Sequence, residues 1–282
     1  MKLLLFHIAY SAETYLSTPS GFKALDNRSN ERSDWFEYWP IRRDLPAILE
    51  GVQEDDFLGF FSPRFSEKTG LTADILQGYV SHYGSTHDVL LFSPQPDIAA
   101  FFTNVFLGED FFNPGFFSTA QDAITDIGVP IELSKLVNDS RNTVFSNYFL
   151  AKPAFWRSWS ELCEKIFDLA ESDDTSNLAR TDIRRRLTQV TTYGGGTQVK
   201  VFLIERITSM MLAAGYPNPW RAKAYEPFKL AWSAHFTHSQ NEAVLCDALK
   251  IAFQASGFEA FATQFQSLQT EVIARVLKDL QT

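Results

Sequence analysis

The chain opens Lys2-Leu3-Leu4-Leu5-Phe6-His7-Ile8-Ala9-Tyr10 and then turns polar. Ser17-Thr18-Pro19-Ser20-Gly21 follows, and then Asp26-Asn27-Arg28-Ser29-Asn30. A short unbroken apolar run that stops at turn-forming residues reads as a strand buried on both faces, as at the centre of an α/β sheet. It is too short to span a bilayer, which takes roughly 18 apolar residues or more. No small-residue cleavage site follows it, so it is read as a first strand and not as a signal peptide. Open α/β sheets bind ligands beyond the carboxyl ends of their strands, so the polar stretch after Tyr10 stands where a site is expected.

The same alternation continues outward. Strands are expected over 56–61, 88–92 and 144–150, with Ser62-Pro63-Arg64-Phe65 at the carboxyl end of the second. Ser33 or Asp34 can cap a helix carrying Trp35, Phe36, Tyr38, Trp39 and Ile41, kinked by Pro40. Amphipathic spacing predicts helices over 72–83, 98–107, 119–127 and 153–171, with an aromatic loop over 111–117. Further helices are expected over 180–187, 198–214, 241–255 and 257–280. Strands mixed with helices, followed by helices alone, mean an α/β sheet with a helical C-terminal part. No long polar linker divides the chain. We expect one domain over 1–282, with an α/β core over 1–215 and a helical extension over 216–282.

Composition narrows the functions. The formal net charge of −9 argues against broad nucleic-acid binding, which needs a cationic surface. The two cysteines, Cys163 and Cys246, share no metal-ligand spacing and fit a reducing compartment. A cytoplasmic protein without a transmembrane segment is expected. The 26 Phe residues fit a Phe-rich core, while some Tyr and Trp could serve as platforms for sugars or bases.

Common phosphate-loop, dinucleotide, zinc-protease and serine-hydrolase motifs are absent. Gly194-Gly195-Gly196 reads as a flexible turn, although its amides could cradle a phosphate. Three polar clusters remain. The first is Asp26, Asn27, Asn30 and Glu37. The second is Glu54-Asp55-Asp56 with Ser62, Arg64 and Lys68, where acids could hold a hard cation and the bases a diphosphate, or the acids could form a solvated turn. The third is Lys200, Glu205 and Arg206 in the apolar helix Val199 to Leu212. Adjacent Glu205 and Arg206 point about 100° apart, so one of them faces the core or a cleft. A buried charge needs a partner, so the pair is either structural or functional.

Taken in order, these segments resemble a group of small bacterial glycosyltransferases of the GT-A type that act in capsule and lipopolysaccharide synthesis. The resemblance covers roughly residues 2–215. It rests on Asp26-Asn27 through Asn30 to Glu37-Tyr38-Trp39, and on Gly59, Arg64 and Phe65 around the second strand. It also rests on Asn147-Tyr148-Phe149 running into Phe155, Trp156 and Trp159, and on Glu205-Arg206. The chain departs from the group's pattern at Ser62-Pro63, and it has no Asp-x-Asp motif.

The resemblance implies a GT-A-like (Rossmann-like) central mixed sheet flanked by helices, and transfer of a sugar from a nucleotide-sugar donor to a glycan or lipid-linked glycan acceptor. Glu205 and Arg206 would be catalytic. Asp26, Asn27, Asn30, Glu37, Arg64, Lys68 and Asn147 would bind the nucleotide sugar. Asp55 and Asp56 would hold a divalent cation, Mn or Mg, if one is used. Peripheral association with the inner face of the membrane would follow from the acceptor. Other readings are a non-catalytic sugar-binding or scaffolding domain of a polysaccharide assembly complex, and an enzyme of another kind such as a nucleotide hydrolase.

Overall fold

The computed structural model describes residues 1–279. The strands are β1 (Leu3–Ala9), β2 (Lys23–Asp26), β3 (Phe57–Phe61), β4 (Val89–Leu91), β5 (Phe149–Ala151) and β6 (Ala222–Ala224). The first helices are α1 (Ala12–Leu16), α2 (Tyr38–Glu50), α3 (Phe65–Thr69), α4 (Ala73–Tyr83), α5 (Pro96–Phe101) and α6 (Val105–Phe112). They are followed by α7 (Phe116–Asp126), α8 (Pro153–Glu171), α9 (Leu178–Leu187), α10 (Val199–Ala214), α11 (Gln240–Ser256) and α12 (Glu259–Asp279).

The strands form one mixed sheet in the order β2-β1-β3-β5-β4-β6. β1 pairs in parallel with β2 and β3, β5 runs antiparallel between β3 and β4, and β4 pairs in parallel with β6. The chain leaves β1 for β2 on one side and returns to β3 on the other. This reversal of strand order opens a crevice at the carboxyl ends of β1 and β3.

Period-two alternation divides the strand residues between the two faces. Leu58, Phe60, Leu91 and Phe149 join the core beneath α2, α8 and α10, while Phe57, Phe61, Leu90 and Leu150 join the core beneath α4. Gly59 is where Leu150 crosses β3: a Cβ built there would lie 2.5 Å from Leu150 Cδ2. A third apolar cluster joins α5 to α11 and α12. The buried Lys250 amine fastens this joint by donating to the Ala99, Phe102 and Asn138 carbonyls at 2.5, 2.8 and 2.5 Å.

Several expectations need correction. The strand expected over 144–150 is only Phe149–Ala151, because Ser146 and Asn147 take left-handed backbone (φ 58° and 53°) and cannot pair in a sheet. The helix expected from Ser33 is a short 3-10 turn broken at Phe36 (φ 47°), after which α2 begins. Pro40 falls in the first turn of α2, where the missing N–H costs no intrahelical bond, so it does not kink the helix. The helix expected over 98–107 is two helices, because Asn104 caps α6 by accepting from the Phe106 and Leu107 amides. Two strands escaped the sequence reading. β2 is only four residues long, and β6 lies beyond residue 215 yet pairs in the same sheet as β4. No described helix is long and apolar enough to cross a membrane.

Candidate functional site

A cleft of about 890 Å³ opens at the carboxyl ends of β1 and β3. That is within the size range of small-molecule sites. Tyr10 enters from the end of β1, Ser62 and Arg64 from the end of β3, and Ser146–Asn147 from the approach to β5. Glu37 stands at the start of α2, Lys68 on α3, Glu109 on α6, and Glu205 and Arg206 on α10.

The backbone around the cleft is strained. Among the described residues, five that are not glycine have positive φ, and four of them line it: Phe36 (47°), Gln95 (59°), Ser146 (58°) and Asn147 (53°). Such conformations cost of order 1–3 kcal/mol each and gather where function demands a particular geometry.

Glu205 and Arg206 divide as neighbouring helical residues must. Arg206 is buried and ion-paired to Glu109, with each side chain 6% exposed. Its Nη1 also lies 3.2 Å from Glu205. Glu205 reaches the cleft and accepts the Ser146 amide N–H. It therefore holds the left-handed Ser146–Asn147 corner in place. Burial pushes the Glu109 carboxyl above the ordinary range; Arg206 opposes this and Glu205 adds to it. Burial also raises Glu37. Its own backbone amide and Lys68 oppose the rise, and the Glu205 carboxylate adds to it.

Lys68 donates to Ser146 Oγ at 3.0 Å and lies 5.6 Å from the centre of the Tyr148 ring. Among the described residues it has no carboxylate partner. Arg64 is more exposed and pairs with Glu67 at 2.9 Å. Ser62 bonds Tyr148 Oη at 2.6 Å beneath the floor. The Tyr10 hydroxyl is buried without a partner; burial, then the Glu37 and Tyr148 charges, raise its pKa well above the ordinary value.

Not every expected residue belongs to this cleft. Asp26 faces a shallow depression beside Ser11 and Arg28. Arg28 binds its carboxylate in a bidentate pair at 2.9 and 2.6 Å and holds the pKa at about 2. Asn27 is buried at the end of β2, where its amide donates to the Ala9 carbonyl at 2.9 Å. Asn30 sits on the exposed loop after it. Neither Asn27 nor Asn30 lines the cleft.

Asp55 and Asp56 lie at the amino end of β3, one strand length from the cleft. Asp55 is exposed. The buried Asp56 carboxylate accepts the Lys2 and Gln53 amides at 2.5 and 3.0 Å, 3.7 Å from the N-terminal ammonium. Burial resists its ionisation, but those donors outweigh it and hold the pKa below the usual value. Asp56 ties β1 to the turn before β3, so the pair does not fit a cation site. Among the described residues no group of three or more His, Cys, Asp or Glu is arranged to hold a metal.

The sequence reading missed Tyr10, Gln95, Glu109 and Ser146. Glu109 carries the signal that picked out Glu205–Arg206, a charge inside the apolar helix Val105–Phe112, and could have been found in the same way. Gly194–Gly196 form a turn at the rim, all three left-handed; Thr191 N–H donates to the Thr197 carbonyl at 2.8 Å, and Thr192 N–H is anchored to Asn113 at 3.0 Å. The aromatic richness goes chiefly into the core: Trp35, Trp156, Trp159 and Tyr148 are fully buried, while Tyr193 is exposed at the rim. No protein-family model, curated protein or solved structure matches the chain.

Proposed function

We propose that this protein is a GT-A-type glycosyltransferase that moves a sugar from a nucleotide-sugar donor to a bacterial surface-polysaccharide acceptor, working at the inner face of the membrane where such acceptors are lipid-linked. The observation that carries this reading is Lys68, a cation without a carboxylate partner, held in the same cleft as Glu37 and Glu205. Glycosyl transfer needs that pairing of charges. As the bond from the anomeric carbon to the diphosphate breaks, positive charge develops on the sugar and negative charge on the leaving group.

Lys68 and Arg64 would hold the diphosphate. Glu205 would face the developing charge at the anomeric carbon, its direction set by Arg206. The acceptor hydroxyl forms the new bond to that carbon, the nucleoside diphosphate leaves, and the hydroxyl proton passes to the Glu205 carboxylate beside the new bond. A carboxylate within reach of the acceptor hydroxyl suits that last task. No step is routed through a metal, because Asp56 is bound to the Lys2 and Gln53 amides and Asp55 lies at the end of β3 away from the cleft.

A thermal-shift panel tests the reading. A specific ligand at a hundredfold excess over its Kd stabilises the fold by about 2.7 kcal/mol. Nucleoside diphosphates should raise the melting temperature of the wild type, and Lys68→Met should remove most of that response. A response to glycans with none to nucleotides would overturn transfer and leave a sugar-binding domain.

A further inference from the structure

Besides the buried Tyr10 hydroxyl and the Arg206 guanidinium, which also carry unpartnered atoms, Glu37 and Asn147 offer hydrogen-bonding groups in the cleft that no other described residue takes up. Glu37 makes no side-chain hydrogen bond to another described residue, and neither atom of the Asn147 amide has a described partner. Asn147 Oδ1 is buried without one although the residue is only 6% exposed. Polar groups this enclosed are almost always paired, and an exception calls for a reason.

Strained backbone also lies at or beside both arms. Asn147 is itself left-handed, and Phe36, immediately before Glu37, has φ 47°. Glu205 holds the Asn147 corner through the Ser146 amide, and Lys68 holds the same corner through Ser146 Oγ. The left-handed backbone and the orphaned oxygen coincide on Asn147, and Glu37, itself in ordinary helical backbone, follows directly on the strained Phe36.

We infer that Glu37 and Asn147 form a subsite for a vicinal diol, the carboxylate accepting from one hydroxyl while the amide bonds its neighbour. Each hydroxyl can donate and accept, so the two together satisfy an acceptor-only carboxylate and an amide that does both. The diol comes either from the ribose of the nucleotide or from a sugar ring. The inference rests on the proposed function only for that source, since a sugar-binding domain would use the same pair. A site built around a hydroxyl discriminates strongly against the ligand that lacks it, because its polar groups are then left unpaired.

The test uses the full chain and four probes: uridine diphosphate, its 2′-deoxy form, D-glucose and 2-deoxy-D-glucose. Asn147→Gly keeps the left-handed backbone while deleting the amide. Removing one such hydrogen bond should weaken binding about 10- to 100-fold. In at least one pair the wild type should bind the intact diol that much more tightly than the deoxy form. Asn147→Gly should bind both forms alike, at the weaker level.

If the sugar pair behaves this way and the nucleotide pair is silent, the subsite stands and nucleotide-dependent transfer falls. If uridine diphosphate binds but the discrimination is unchanged in Asn147→Gly, the subsite falls and the nucleotide reading stands. Failure of all four probes to bind at millimolar concentration overturns the subsite as well.

Discussion

Replacing Arg206 by Met isolates the charge arrangement behind the cleft. In the wild type the guanidinium serves two carboxylates at once, the buried Glu109 and the 19%-exposed Glu205. Met fills a similar volume but leaves both acids without their cation. Breaking a buried pair on one side costs about 3–5 kcal/mol. At about 2–4 °C per kcal/mol for chains somewhat shorter than this one, the melting temperature should fall by roughly 5–15 °C.

The deficit should also depend on pH. Burial already raises the Glu109 pKa, and Arg206 is the main force opposing that rise. Without Arg206 the folded-state pKa rises further. A group raised in the folded state contributes stability at low pH that is lost as pH climbs through its folded value. Arg206→Met should therefore lose more against wild type at pH 8 than at pH 5. Adding Glu109→Gln removes the stranded charge and should recover part of the loss, a coupling that a double-mutant cycle measures. Calorimetric melts of the four proteins at both pH values suffice. A deficit below about 1 kcal/mol, or one that is the same at both pH values, would refute the buried-pair reasoning.

Three other outcomes are expected. Glu205→Gln should leave stability near wild type, because the amide oxygen still accepts the Ser146 N–H and Arg206 keeps Glu109. Transfer should fall about 10²–10⁴-fold; an unstable but active mutant, assayed on one preparation, would sink the catalytic role. Glu37→Gln should gain stability relative to wild type as pH rises from 5 to 8. Glu37 is raised in the folded state, so the wild type loses stability over that interval and Gln does not; parallel melting curves against pH would contradict this. Gly59→Val should lose about 1–3 kcal/mol by overpacking against Leu150 and Phe61, read from urea denaturation midpoints.

The runs Leu3–Ala9 and Phe57–Phe61 could be read as buried strands because both faces of each are covered, and continuous burial leaves a continuous apolar run. α8 was legible to the residue, since Pro153 marks its first turn and its apolar stripe runs unbroken. β2 and β6 were not. Each lies outside β1, β3 and β4 in the sheet order, is short and only half-buried, and owes its strand form to the neighbour it pairs with. The Ser146–Asn147 corner was read as strand because the apolar pattern around it is strand-like. What holds it left-handed is Glu205, a residue 59 positions away.

By itself, then, the sequence determined the local choices: which runs are apolar, where turns fall, and that the charges in α10 stand in an apolar setting. Tertiary structure alone decided which polar residues share a site. Glu37, Lys68, Asn147 and Glu205 meet because the strand order reverses between β1 and β3 and brings their elements to one edge. Asp55 and Asp56 are adjacent in sequence to that same β3 and lie at its other end. A strand carries its two termini to opposite edges of a sheet, and only the pairing of strands says which edge holds the cleft.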